Sequence, residues 1–365
     1  MRAASSGPIP VVMALIAGLA ASGEAQFFGL GTPADGSSVY FSATPSLRGK
    51  ATWGKLFQVD SSGLRPVEAR DYEVPDPPPA GYATGPGLAH PTNPYDIRGA
   101  DISSDGRVLA VAAWRGCGAS DPTDLYYCSK MENYYTTITA GTQSADYPGD
   151  LRLSANEQWA FGPGSHGPAE DGPALAYLVN VRTGGQTLLT DGSPSLGLGI
   201  DISTSGRSVA NDGTAVLSTK GGSLVILRGQ ETLDISVGAG TPTGAAIDAA
   251  GQTVVFAVCG NAMCSPNPGT LSLYRADAVS GSYSLLTTSG YAPSMTDDGR
   301  KVLYTSTRSG TPQLRIMQTD GTGDHQLTQD PAGIASAILS GDGNVAYAVT
   351  LSGRLIKIAV ASGAV

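Results

Sequence analysis

The chain has 365 residues, 49 of them glycine, with 15% charged residues and a formal net charge of −9. An acidic chain has no electrostatic footprint for a nucleic acid or an anionic membrane surface. Abundant glycine with few Lys or Glu argues against a helical protein and suits many short strands joined by tight turns.

Met1–Ala25 has a short positive start at Arg2 and an apolar run from Pro10 to Ala21. Gly23 and Ala25 then place small residues at the −3 and −1 positions of a cleavage site, so the segment reads as a secretory signal peptide cleaved after Ala25 to leave Gln26 first. An uncleaved anchor is the rival, but the segment is short and wrongly flanked for a stable span. No cysteine near the cleavage site offers a lipid attachment point, and no later apolar run approaches membrane-spanning length. The mature chain, residues 26–365, is expected to be one soluble domain that keeps the charge of −9, since Arg2 and Glu24 leave together.

From Thr32 onward one unit recurs: an apolar residue, Ser or Thr, a turn ending in Gly, then an apolar strand. Its copies are TPADGSSVYFS from Thr32, ISSDGRVLAVAA from Ile102, LSANEQWAFG from Leu153 and ISTSGRSVAN from Ile202. IDAAGQTVVFAV from Ile247, MTDDGRKVLYTS from Met295 and LSGDGNVAYAV from Leu339 complete the seven. The turn glycines read as Gly36, Gly106, Gly206, Gly251, Gly299 and Gly343, with Glu157 in the slot of the third copy. From Gly106 onward the copies lie about 44 to 51 residues apart, the period of four-stranded propeller blades.

After each turn apolar residues alternate, as in Val39/Phe41, Leu109/Val111, Trp159/Phe161, Val254/Phe256, Val302/Tyr304 and Val345/Tyr347, which predicts a half-buried strand. The fourth copy departs, with Val209 followed by Asn211, and predicts a short strand. A further strand, polar turn and closing strand follow in LAYLVNVRTGGQTLLT, LSLYRADAVSGSYSLLT and LRIMQTDGTGDHQLT. Each unit thus holds four strands, and no segment shows helical periodicity. A lone four-stranded unit cannot bury both faces, whereas radial stacking covers them. The expectation is an all-β, seven-bladed β-propeller of four-stranded antiparallel blades. The seventh copy lacks its outer strand at LIKIAVASGAV, so either Gln26–Gly31 helps to close the ring or the natural chain continues past Val365.

The pattern Ser-x-Asp-Gly-x-x-apolar-apolar-aromatic, followed by a strand, Asp-Gly and Leu-Thr, resembles the WD40-like repeats of TolB-type β-propellers. Met295–Thr328 is the nearest copy and Ile102–Ala113 the next. The resemblance covers Gln26–Val365 and implies a bacterial periplasmic or secreted propeller. TolB's α/β N-terminal domain has no counterpart here, so no role in the Tol–Pal system is carried over.

In such a fold the Asp-Gly turns share one face, and the long segments fall on the other. The latter are Thr44–Gly54, a Pro-rich insertion Asp71–Arg98, Arg115–Thr123, Gly162–Ala174 and Cys259–Gly269. Loops carry binding disproportionately, and Trp53, Tyr82, His90, Trp114, Tyr126, Tyr127 and His166 lie on or beside these segments as candidate contacts. The rival reading is decoration without a ligand, with the Pro-rich stretch a stiff crossover and Trp114 a core residue at a strand end. The same face holds two close cysteine pairs, Cys117/Cys128 and Cys259/Cys264, which in an exported chain read as local disulfides; zinc is disfavoured by spacing and by the lack of adjacent His.

Chemistry is scarce. The histidines His90, His166 and His325 are scattered, with no metal cluster. Gly164-Ser165-His166-Gly167 is no nucleophile elbow, because Pro163 stands where the first Gly of G-x-S-x-G belongs. Asp101 and Asp201 read as one repeat slot, with Arg152, Ala246 and Ser294 in other copies, on strands lining the channel. They would be candidates for a cation or sugar site, but they form no carboxylate ring. Neither an Asp box nor a calcium loop occurs. The expected function is a monomeric, non-enzymatic exported propeller, without metal or cofactor, binding a protein or glycan. The alternative is a polysaccharide hydrolase or lyase acting from the channel.

Overall fold

The computed structural model describes residues 26–44, 55–66, 95–106, 108–115, 130–137, 142–145, 152–165, 174–180, 186–188, 200–201, 206–219, 223–229, 231–238, 240–260 and 271–361. These residues form strands and turns with no helix. The first antiparallel sheet holds β1 (Gln26–Gly31), β2 (Val39–Thr44), β3 (Lys55–Asp60) and β4 (Gly63–Pro66). The second holds β5 (Tyr95–Ile102), β6 (Val108–Arg115), β7 (Lys130–Thr137) and β8 (Thr142–Ala145). The third holds β9 (Arg152–Leu153), β10 (Trp159–Ser165), β11 (Ala174–Asn180) and β12 (Gln186–Leu188), and the fourth β13 (Ile200–Asp201), β14 (Ala215–Thr219), β15 (Ser223–Arg228) and β16 (Glu231–Ser236). The fifth holds β17 (Thr241–Ile247), β18 (Thr253–Cys259), β19 (Leu271–Asp277) and β20 (Tyr283–Thr287), and the sixth β21 (Tyr291–Met295), β22 (Lys301–Ser306), β23 (Gln313–Gln318) and β24 (His325–Gln326). The seventh has three strands, β25 (Ile334–Leu339), β26 (Val345–Thr350) and β27 (Leu355–Ala359).

Strand order in each sheet follows chain order, so the chain steps from the ring axis to the rim and then crosses to the next sheet. Burial follows from this stacking. In β18, β22 and β26 all but the first residue is buried, on both faces of the strand. The expected half-buried alternation is therefore replaced by full burial, because a neighbouring sheet covers each side. Val254 and Phe256 pack against the fourth sheet and Val302 and Tyr304 against the fifth, while Val255 and Leu303 face the sheet that follows. In β26 the small Ala346 and Ala348 face the sixth sheet, and Tyr347 and Val349 face the first. One cluster joins Val216, Leu224 and Ile226 of the fourth sheet to Val254, Phe256 and Val258 of the fifth. Each fully buried side chain of this size contributes roughly 1.5–3 kcal/mol relative to exposure.

The turns hold as expected in six copies. Gly36, Gly106, Gly251, Gly299 and Gly343 have positive φ, and Glu157 takes the same left-handed conformation at φ 58°. The fourth copy is corrected. Its turn is Ala210–Gly213, closed by Gly213 N–H to Ala210 C=O at 3.1 Å, and Gly213 carries φ 85°. Gly206 instead packs against the Pro293 carbonyl of the sixth sheet and Ala246 of the fifth. Val209 precedes the turn, Asn211 lies within it, and the strand after it is β14. Two further boundaries move. Tyr95–Arg98, read as the end of the insertion, belong to β5. Gln26–Gly31 is the innermost strand of the first sheet, paired with β2, and contributes no strand to the seventh.

Candidate functional site

The turn side of the ring is stitched by a belt of hydrogen bonds. Ala34 N–H donates to Ser104 C=O (2.7 Å) and Ser104 N–H to Ala155 C=O (3.3 Å). Asn156 N–H donates to Asn211 Oδ1 (2.9 Å), and its Nδ2 donates to the Asn211 carbonyl (3.2 Å). Asn211 N–H then reaches Ala249 C=O, Ala249 N–H reaches Asp297 C=O and Asp297 N–H reaches Gly341 C=O, at 2.9–3.0 Å. Asp342 N–H returns to Ala34 C=O at 2.8 Å and completes the circuit. Backbone groups at turn tips are polar groups that need partners, and here each turn supplies its neighbour's.

Inside the belt, side chains from three non-adjacent sheets meet. Ser104 Oγ donates to Asp297 Oδ2 at 2.6 Å, Arg207 Nη2 donates to Ser104 Oγ at 3.0 Å, and Arg207 Nη1 pairs with Asp297 Oδ1. A β-carbon on Gly341 would lie 2.5 Å from Asp297 Oδ2, so the carboxylate fills the space that glycine leaves. Residues of the second, fourth and sixth sheets can touch only across the axis, so this cluster occupies the turn end of the central channel.

One layer further in, the residue two positions before each turn's first residue is Gly31, Asp101, Arg152, Ser208, Ala246, Ser294 or Ile338. Asp201 is absent from this layer; it lies in β13, opposite Ser218, because the fourth turn sits later than its sequence suggested. Asp101 is therefore the single acid of the layer. Its Oδ2 accepts from Leu153 N–H of the third sheet at 2.8 Å, and its Oδ1 accepts from Ile102 N–H at 3.0 Å. Burial pushes this carboxyl above its ordinary value, opposed by Arg152, the Leu153 N–H and Arg207. Arg152 is buried beside it. Ser294 Oγ makes the same kind of brace, accepting from Leu339 N–H at 3.0 Å. Asp101 and Ser294 thus hold neighbouring sheets together at their inner edges.

A second charged group lies outward in the sixth sheet. Asp324 accepts from Tyr304 Oη (2.6 Å), Arg315 Nε (2.9 Å) and Arg308 Nη1 (2.9 Å). Partial burial would raise its pKa, but the Arg315 and Tyr304 hydrogen bonds outweigh that and hold it below the usual carboxylate value. The Tyr304 hydroxyl is pushed far up by burial and by Asp324. Every oxygen in this network has a donor, as in a structural latch for the short strand β24. His325, the single histidine among the described residues, is exposed with Nδ1 2.8 Å from Gly323 C=O, a partner in the backbone.

The opposite side of the ring carries the long connections, since strands run alternately outward from each face. They leave from β2 to β3, β4 to β5, β6 to β7, β10 to β11 and β18 to β19. Trp53, Tyr82, His90, Tyr126, Tyr127, His166, Cys117, Cys128 and Cys264 lie outside the described residues. Trp114 is in β6, paired with Asp96 and Met131. Cys259 ends β18 and is buried. Ser165 ends β10, paired with Ala174 of the antiparallel β11. Among the described residues, no His, Cys, Asp or Glu group of three or more is arranged to hold a metal ion, and no helix is long and apolar enough to cross a membrane.

No protein-family model and no curated protein sequence matches the chain. Solved structures do. The chain is similar to a prolyl endopeptidase, with a TM-score of 0.58 and 11% identity over 96% of this chain and 51% of that one. It is also similar to the β-propeller domain of the trilobed protease from Pyrococcus furiosus, with a TM-score of 0.54 and 10% identity over 91% of this chain and 94% of that one. The chain is a β-propeller. TolB from Acinetobacter baumannii is a further match at a TM-score of 0.44 and 13% identity, over 81% of this chain and 61% of that one. The propeller thus spans about three-fifths of that TolB and about half of the endopeptidase. At such identities the likeness concerns the fold, and function has to come from the site.

Proposed function

We propose that this chain is an exported β-propeller that binds a protein or an envelope polymer through the face carrying its long connections, with no catalysis of its own. One observation carries the reading: the turn face and the axis are committed to holding the ring together. The belt takes up the turn backbones, the Ser104–Arg207–Asp297 cluster takes up the turn end of the channel, and Asp101 braces two blades. A ligand is left with the other face, from which the long connections leave and where Trp53, Tyr82, His90, Trp114, Tyr126, Tyr127 and His166 would supply contacts. Disulfides Cys117–Cys128 and Cys259–Cys264 would pin two of those loops. Export follows from the signal-like Met1–Ala25 and, through the TolB-like repeat, points to a periplasmic or secreted monomer without cofactor.

A channel hydrolase would need two carboxylates flanking the scissile bond, roughly 5 to 9.5 Å apart. The inner layer offers Asp101 alone, with both oxygens engaged on backbone N–H groups. The test pairs a glycan array with capture from envelope extract, using wild type and a variant in which residues 71–92 are replaced by a short turn. Binding lost in the variant supports the reading. Binding to every ligand found that is undiminished in the variant would sink it, and turnover of a glycan would favour the hydrolase.

A further inference from the structure

Among the described residues the first and last blades share no strand: β1–β4 are all early residues, and β25–β27 are all late ones. Their seam is held by Asp342 N–H to Ala34 C=O at 2.8 Å. Tyr347 Oη and Lys357 Nζ add bonds to the Gly36 carbonyl at 2.9 and 3.2 Å. Leu30, Val39 and Phe41 pack against Tyr347, Val349 and Leu355. Opening the ring here requires blades one and seven to swing apart, and blades two and six to move with them.

Blades two and six are the ones that Ser104 and Asp297 join. Ser104 is tied to blade one through the Ala34 N–H, and Asp297 to blade seven through the Gly341 carbonyl. The Ser104–Asp297 hydrogen bond therefore spans the seam from inside the channel, and Arg207 of blade four anchors both ends from the far side. We propose that Ser104, Arg207 and Asp297 act as an axial strap that keeps the ring closed in place of a strand shared at the rim. The Arg207 and Asp297 side chains are 15% and 24% exposed, so solvent screens the pair little.

The test compares wild type with Ser104→Ala and Asp297→Asn in the full chain. Two probes sit on the seam: amide hydrogen exchange at Asp342 and the rate of amine labelling at Lys357. A third, the Asn211 amide that bonds Ala249, sits between blades four and five. The expected result is exchange at Asp342 faster by roughly tenfold or more, with faster labelling of Lys357 and an unchanged Asn211. Should Asp297→Asn fail to fold, Ser104→Ala removes only the bridging hydroxyl and still reads the seam. Unchanged Asp342 and Lys357, or equal acceleration at all three probes, would overturn the strap.

Discussion

Gly299 is held by two constraints, a φ of 69° and a β-carbon position 2.8 Å from Asp248 Oδ2 of the preceding blade. Gly310 has a φ of 96° but open space around it. Gly299→Ala is expected to cost about 2–4 kcal/mol, from backbone strain plus overpacking, whereas Gly310→Ala costs about 1–2 kcal/mol from strain alone. Urea denaturation of the two variants checks the difference. Asp324 makes a pH-dependent contribution with a definite sign. Its folded pKa lies below the ordinary 3.8, so the stabilisation is present above that value and is lost as the pH falls through the folded one. Asp324→Asn should lower the urea midpoint at neutral pH and flatten its fall below about pH 4; a variant with the wild-type pH profile would contradict this. Asp101 acts in the opposite direction. Its raised pKa means that the ionised form carries a burial cost at neutral pH, and that cost is relieved on acidification.

A blade's second strand is an element covered on both sides. Phe256, fully buried between blades four and five, should cost about 3–5 kcal/mol when changed to Ala. Leu285, half exposed on the outer strand β20, should change stability by no more than about 0.5 kcal/mol when changed to Ser. Thermal unfolding of both variants distinguishes inner from outer strands. At this scale much was legible in the sequence, because the Ser/Thr–turn–Gly unit is set by local backbone chemistry. The fourth copy went astray because ISTSGRSV and VANDGTAV lie within a few residues of each other and both resemble the unit. Only the hydrogen bonds of Ala210 with Gly213 and Thr214 show which one turns. Full burial of the second strands was hidden for a different reason. Ala257, Ala346 and Ala348 face a neighbouring blade, yet a small side chain gives no apolar signal of its own.

At the scale of the whole molecule, on the proposed reading, the ring divides its labour between two faces. The turn face and axis supply cohesion, and none of that was legible beforehand. Ser104 and Asp297 are 193 positions apart, and each occupies a turn position that many polar residues could fill. The lengths of the connections were legible, because loop length survives in a single sequence. Export has its own check: the N-terminal residue of the protein recovered from the secreting cell should be Gln26, and a chain still beginning at Met1 would contradict cleavage. The division between faces is tested most directly by comparing two variants for binding to the envelope extract and the glycan array. One replaces residues 71–92 by a short turn; the other is Arg300→Ala, which removes an exposed ion pair with Asp298 on the turn face. The expected result is binding lost in the first and kept in the second. Binding kept in the first and lost in the second would place the functional surface on the turn face and contradict the proposed role.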